Sequence, residues 1–239
     1  MTADQPPRPA NIQNIVAINQ GRRPLTMDEP SAGRRSPSEV LDLIRKGHRV
    51  LDTRSPEAFG ARHIPGATNV QLDGSEFEQR VGWMLSPDEA VVLGVEAHKA
   101  AQRAVRKLAF VGLDQGVEGY VEMEDWESAG LPTASLSQID VDQLRGRLGR
   151  DGLKVLDVRE ASEWNRGHIP GALHLNFKHL PTRLGELPLG REDRLAVICA
   201  SGMRSSTACS FLLRNGYRNL LNVTGGMRAW QNAGHPLAV

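Results

Sequence analysis

The chain has 239 residues, 40% of them hydrophobic, which is enough to bury two cores in domains of roughly 100 to 120 residues each. Lys and Arg number 29 against 28 Asp and Glu, a formal charge of +1 that excludes a net field recruiting nucleic acid or an anionic membrane. Two cysteines, with no leading apolar segment and no long uncharged apolar run, predict a cytoplasmic protein in a reducing compartment without a disulfide framework, so each thiol needs its own explanation.

The chain opens on ADQPPRPA (3–10), a Pro-rich extended lead. NIQNIVAIN (11–19) then places Ile12, Ile15 and Val16 at helical spacing, with Asn11 as an N-cap and Gly21 near the end. One short helix cannot bury that face alone, so it is expected to dock on the body of the protein or on a partner. Residues 1–33 are read as an N-terminal arm.

VLDTRSPEAFGARHIPGA (50–67) recurs 105 residues later as VLDVREASEWNRGHIPGA (155–172), matching Leu51, Asp52, Arg54 and His63 through Ala67. Further along the offset becomes 104: Gly112 falls on Gly216, Met123 on Met227, Trp126 on Trp230, and AGLP on AGHP. A period this long is a duplicated domain, too large for a solenoid unit. The boundaries this predicts are 34–133 and 134–239, joined at LPTASLS.

The first copy has no cysteine, and none occurs anywhere before Cys199. Either Gly94 or Val95 stands opposite Cys199, depending on where the single-residue shift falls; Glu96 enters the corresponding loop, and Lys99 is expected opposite Arg204. In the second copy KVLDV, ALHLN, LAVICA and NLLNV read as strands, with helical segments at ASEWNRG, SSTACSFLLRNG and GMRAWQNAG. Nearly all-apolar strands separated by helices predict a parallel-type sheet buried on both faces, the α/β class. Ala208, Phe211, Leu212 and the terminal Asn215-Gly216 predict a helix over 205–215.

Cys199 therefore ends a parallel strand just before a helix, where open α/β sheets place their ligands. Backbone N–H groups of Ala200 through Ser205 can turn inward as an anion nest, and the helix N-terminus adds to it, favouring thiolate. Gly202 allows the loop to curl, Ala200 and Ser201 keep its mouth small, and Arg204 offers a positive fork for an oxyanion. Cys209, inside the helix without polar company, reads as packing. His63 and His168 occur in both copies and read as structural, as do the Asp52/Arg54 and Asp157/Arg159 pairs. Trp126 and Trp230 read as core, and His174 and His179 lack metal-ligand partners.

The segments LDVRE, GHIPGA, CASGMRS and VTGGMRAW, in this order, resemble rhodanese domains, and the whole chain resembles a tandem rhodanese-like sulfurtransferase with an inactive N-terminal copy and an active C-terminal one. The resemblance implies two α/β domains, each a central, mainly parallel sheet flanked by helices. It implies that Cys199 is catalytic and alternates between thiol and persulfide, taking sulfane sulfur from thiosulfate or a low-molecular-weight persulfide and passing it to cyanide or a thiol. Ala200, Ser201, Gly202, Met203, Arg204 and Ser205 would hold the sulfur and its donor, with no metal or organic cofactor. Four residues separate Cys199 from Arg204; phosphatases of the same fold have one more, which fits phosphate. The GMRS continuation differs from the GVT-like one of mercaptopyruvate-specific relatives, which favours thiosulfate or a persulfide. The arm is similar to the connector that follows the dioxygenase domain in persulfide dioxygenase–rhodanese fusions, which implies such a dioxygenase as partner. On that alternative the chain is a non-catalytic sulfur carrier.

Overall fold

The computed structural model describes residues 8–9, 11–22, 30–150 and 152–239, so of the Pro-rich lead only Arg8 and Pro9 are among the described residues. In chain order the elements are α1 (Ile12–Asn19), α2 (Pro37–Arg45), β1 (Arg49–Asp52), α3 (Pro56–Ala61), β2 (Thr68–Asn69), α4 (Phe77–Met84), β3 (Val91–Val95), α5 (His98–Ala109), β4 (Val117–Glu122) and α6 (Met123–Ser128). There follow β5 (Ser137–Ile139), α7 (Val141–Arg147), β6 (Lys154–Asp157), α8 (Ala161–Trp164), β7 (Leu173–His174), α9 (Leu180–Arg183), β8 (Leu195–Ile198), α10 (Met203–Arg214), β9 (Leu220–Val223) and α11 (Gly226–Asn232). Local chemistry sets several starts. Ser36 and Asp140 close capping boxes with Glu39 and Gln143, and Pro37 and Pro56 occupy first-turn positions where their missing N–H costs nothing.

By contact the chain divides into two units, Met1–Arg54 with Leu72–Pro132 and Ser55–Gln71 with Thr133–Val239. In the first, β1, β3 and β4 run parallel in that spatial order. Helix α1 docks within this unit: Ile18 lies over Gly112, where a Cβ would sit 2.6 Å from Ile18 Cδ1. Asn11 does not cap the helix with its side chain, contrary to the reading of the sequence; Nδ2 donates instead to the Val111 carbonyl at 3.3 Å. Val16 is exposed.

The second unit holds a parallel sheet of order β5-β9-β8-β6-β7. All four residues of β8 are buried, as a central strand covered on both faces requires. Its core joins Ile139, Leu144, Val155, Ile169, Ala196, Ile198 and Trp230. Trp126 and Trp230 are core in their respective units, each indole N–H donating at 3.0 Å to a proline carbonyl, Pro132 and Pro236. Both sheets are mainly parallel and flanked by helices, as expected.

The segment 55–71, first-copy by sequence, clusters with the second unit. His63 and Ala134 exchange backbone hydrogen bonds of 2.9 Å, and Gln138 Nε2 donates to the Pro56 carbonyl at 2.6 Å. On α10, Ser206 Oγ donates to Asn69 Oδ1 at 2.6 Å and Ser210 Oγ accepts from the Asn69 N–H at 3.0 Å, all buried. This polar seam anchors the helix that follows Cys199. Asn69→Ala removes the acceptor of Ser206, and an unsatisfied buried hydroxyl costs about 1–3 kcal/mol. The expected result is a lowered urea midpoint with unchanged m-value.

Candidate functional site

Strand register settles which first-copy residue stands opposite Cys199. Asp52 pairs with Gly94 across β1 and β3, and Asp157 pairs with Ile198 across β6 and β8. Val95 therefore occupies the place of Cys199. The offset is already 104 at this strand, so His98 stands opposite Gly202, Lys99 opposite Met203 and Ala100 opposite Arg204. The expected match of Lys99 to Arg204 is wrong by one residue.

Cys199 follows β8 and is 1% exposed; its Sγ accepts a hydrogen bond from the Gly202 N–H at 3.2 Å. Gly202 makes that turn as the N-cap of α10 with φ +100, a left-handed conformation that L side chains avoid. Helix α10 starts at Met203, two residues before the sequence reading placed it. In its first turn the N–H groups have no intrahelical acceptor, so those of Met203, Arg204 and Ser205 are donors left over by helix geometry.

A second glycine holds the loop from the other side. The Met227 and Arg228 N–H groups donate to the carbonyls of Cys199 and Ala200 at 2.8 and 3.1 Å. A Cβ on Gly226 would come within 2.4 Å of the Cys199 carbonyl oxygen and 2.6 Å of Ser201 N. Only a glycine permits that approach.

The candidate loop residues play unequal parts. Ala200, Ser201 and Met203 are half-buried around the loop, with small side chains at 200 and 201. Ser205 is fully buried and its hydroxyl donates to Asn222 Oδ1 at 2.6 Å, so it ties α10 to β9. Arg204 reaches Glu163 of α8 with both terminal nitrogens, Nη1 to Oε2 at 2.7 Å and Nη2 to Oε1 at 2.8 Å. Burial opposes the guanidinium's charge, but the Glu163 hydrogen bonds and the nearby Cys199 sulfur hold it charged. Burial likewise opposes the Glu163 carboxylate, yet the hydrogen bonds from Arg204 and from the Glu160 N–H hold it below the usual carboxylate range. The pair is charged on both sides.

Glu163 was not singled out from the sequence. Its legible signal was local, an E-x-x-E capping box at the start of α8. Ala58 stands opposite it in the first copy, just as Ala100 stands opposite Arg204. Glu160, at the other end of that box, is held by Asn176 Nδ2 and, at 2.6 Å, by Lys178 Nζ.

The remaining sequence candidates behave as framework. Arg54 and Arg159 form buried ion pairs with Asp52 and Asp157 at 2.7 Å. His63 Nδ1 lies 2.7 Å from the Phe59 carbonyl with the two rings stacked; His168 repeats the arrangement on Trp164, at 3.2 Å from its carbonyl. His174 stacks on Trp164 as well, and its Nε2 lies 2.9 Å from the Arg159 carbonyl. Cys209 is fully buried in α10, and burial pushes its thiol up, further raised by Cys199. A thiol held protonated is a poor nucleophile. Cys209→Ala should leave sulfur loading at the wild-type rate, measured by intact mass.

The chain matches the family described as Rhodanese-like domain over residues 36–123 and 140–233. It is 36% identical over 103 residues to a sulfurtransferase of Allochromatium vinosum, covering 43% of this chain and 94% of that protein. It is 30% identical over 100 residues to the thiosulfate sulfurtransferase GlpE of Shewanella oneidensis, covering 42% and 97%. Among solved structures, a rhodanese-related protein from Thermoplasma volcanium is 32% identical with a TM-score of 0.39, covering 43% of this chain and 97% of that one. With the family matched in both copies and two parallel-sheet units built on one repeated pattern, the chain belongs to the rhodanese-like domain family, in tandem.

Proposed function

We propose that this protein is a sulfurtransferase that carries sulfane sulfur on Cys199. The observation that carries the reading is the setting of the Cys199 sulfur: it ends a buried parallel strand, accepts the Gly202 N–H at 3.2 Å, and faces the opening turn of α10. Such a loop stabilises negative charge on sulfur before and after transfer. The donor is thiosulfate or a low-molecular-weight persulfide. In the first half-reaction the Cys199 thiolate attacks the outer sulfur, the donor S–S bond breaks, and sulfite or a thiolate leaves. In the second, cyanide or a thiolate takes that sulfur and Cys199 is released as thiolate. Atoms and charge balance in both halves without oxidant, metal or organic cofactor.

The catalytic domain on this reading is 134–239. The domain 34–133 is silent, because Val95 offers no nucleophile where Cys199 stands. Four residues between Cys199 and Arg204 leave a cradle suited to sulfur rather than phosphate. Both cysteines are free thiols, in keeping with a reducing compartment such as the cytoplasm. Among the described residues no helix is long and apolar enough to cross a membrane.

The test is intact mass after mixing with thiosulfate or glutathione persulfide, then cyanide, with thiocyanate recorded in parallel. A gain of one sulfur on Cys199, lost to cyanide with repeated turnover, is expected. Loading without turnover on small acceptors would instead favour a sulfur carrier serving a protein partner such as a persulfide dioxygenase. An unmodified Cys199 with both donors would overturn the assignment.

A further inference from the structure

Arg204 is the only guanidinium supplied by the loop, and it is already engaged. Both of its terminal nitrogens meet both carboxylate oxygens of Glu163, with the side chains 17% and 21% exposed. A bidentate arginine–carboxylate pair is a fixed planar unit of zero net charge. Glu163 is held from a third direction by the Glu160 N–H at 3.1 Å, so the carboxylate is not poised to swing aside. What the loop itself has left to offer a ligand at Cys199 is backbone N–H, which suits a small singly charged sulfur better than a dianion. Arg228, whose N–H meets the Ala200 carbonyl, is exposed, so water and salt screen its charge. The repeat shows that the two pair members come as a set: the copy without the cysteine has Ala58 and Ala100 in their places.

We propose that Glu163 is the specificity-determining residue of this site: by neutralising Arg204 it disfavours thiosulfate and selects low-molecular-weight persulfides as donors. The proposal rests on the sulfurtransferase reading above. With a persulfide RS–SH the Cys199 thiolate attacks the outer sulfur, the S–S bond breaks, RS⁻ leaves, and the proton stays on the new Cys199 persulfide. The reacting end of the donor enters uncharged, and the single negative charge passes from Cys199 to the leaving RS⁻. With thiosulfate the donor and its leaving group, sulfite, each bring two negative charges toward a carboxylate that cancels the loop's cation. The cost falls on donor binding and on the transition state alike.

Glu163→Gln keeps the side-chain shape and the capping role at the third position of α8, while the pair gains one net positive charge. The experiment compares second-order rate constants for loading Cys199 from thiosulfate and from glutathione persulfide. The expected result is a rise of about tenfold or more in the thiosulfate-to-persulfide ratio, abolished in the Glu163→Gln/Arg204→Met double variant. In a Cys199→Ser background, calorimetry should show thiosulfate binding tightened by a similar factor. A ratio that falls or stays within about twofold would overturn the proposal. So would loss of loading from both donors with thiosulfate affinity unchanged, because Glu163 would then serve only to position Arg204. A wild-type protein that takes sulfur from neither donor would overturn the sulfurtransferase reading beneath it.

Discussion

Cys199→Ser should abolish sulfur loading, by about 10⁴-fold or down to background, while leaving the fold in place. The hydroxyl is nearly the size of the thiol and can still accept the Gly202 N–H that now meets Sγ at 3.2 Å. The loop hydrogen bonds from Met227 and Arg228 are to main-chain carbonyls and do not depend on the side chain at 199. Stability should therefore change by no more than about 1 kcal/mol, visible as a thermal midpoint within a few degrees of wild type. Chemistry is another matter. A serine hydroxyl is scarcely ionised at neutral pH, and the histidines His63 and His168 are tied to carbonyls and stacked on Phe59 and Trp164. The measurement is intact mass with both donors beside a thermal melt. Loading that persists in Cys199→Ser would move the sulfur to Cys209, the one other thiol in the chain, and would contradict the burial that holds Cys209 protonated.

The strands were legible because a parallel sheet is covered on both faces, so LAVI at 195–198 is an unbroken apolar run with nothing to confuse it with a surface strand. The loop was legible because a cysteine, small residues, a glycine and an arginine sit between such a run and a helix. The repeat carried the tandem architecture, but not its register near the site. Leu93, Gly94 and Val95 are all apolar or small, so nothing in their chemistry marks where the offset changes; the pairing of Asp52 with Gly94 does. Long-range polar contacts escaped the sequence for a different reason. Glu163 and Arg204 are 41 residues apart, and Asn69 and Ser206 are 137 apart. Glutamate in a first helical turn and serine in a helix each have an ordinary local explanation, and neither names its partner. Asn11 failed in the opposite sense. Its local signal was a cap, yet the half-buried Val111 carbonyl claimed its amide, a tertiary contact overriding a local preference.

Gly226→Ala should damage the site as severely as any change outside the nucleophile. The added Cβ would lie 2.4 Å from the Cys199 oxygen, 2.6 Å from the Ala200 carbonyl carbon and 2.6 Å from Ser201 N, all main-chain atoms that no rotamer change can clear. The backbone there has φ +57, so the side chain adds a left-handed penalty of about 1 kcal/mol before any clash is counted. Two relaxations are open. Helix α11 can withdraw, breaking the hydrogen bonds of the Met227 and Arg228 N–H groups to the loop, or the stretch 199–201 can shift and carry the sulfur with it. Either costs about 2–4 kcal/mol in stability, and a displacement near 1 Å at the reacting atom costs on the order of 100-fold in rate. The expected result is a lowered denaturant midpoint together with slowed loading, measured at a temperature where the variant is fully folded. Gly225→Ala is the control: its Cβ would meet only the Ala229 methyl, at 2.7 Å, within the first turn of α11. That variant should lose stability while loading sulfur more nearly like the wild type. Equal loading by Gly226→Ala and wild type would mean that the loop tolerates displacement and that the close approach serves packing alone. The first copy argues otherwise: the register of β4 and β9 places Glu122 opposite Thr224, and Met123 follows directly where Met227 stands, so no residue answers Gly226 in the domain where Val95 replaces the cysteine; the glycine and the thiol are present together and absent together.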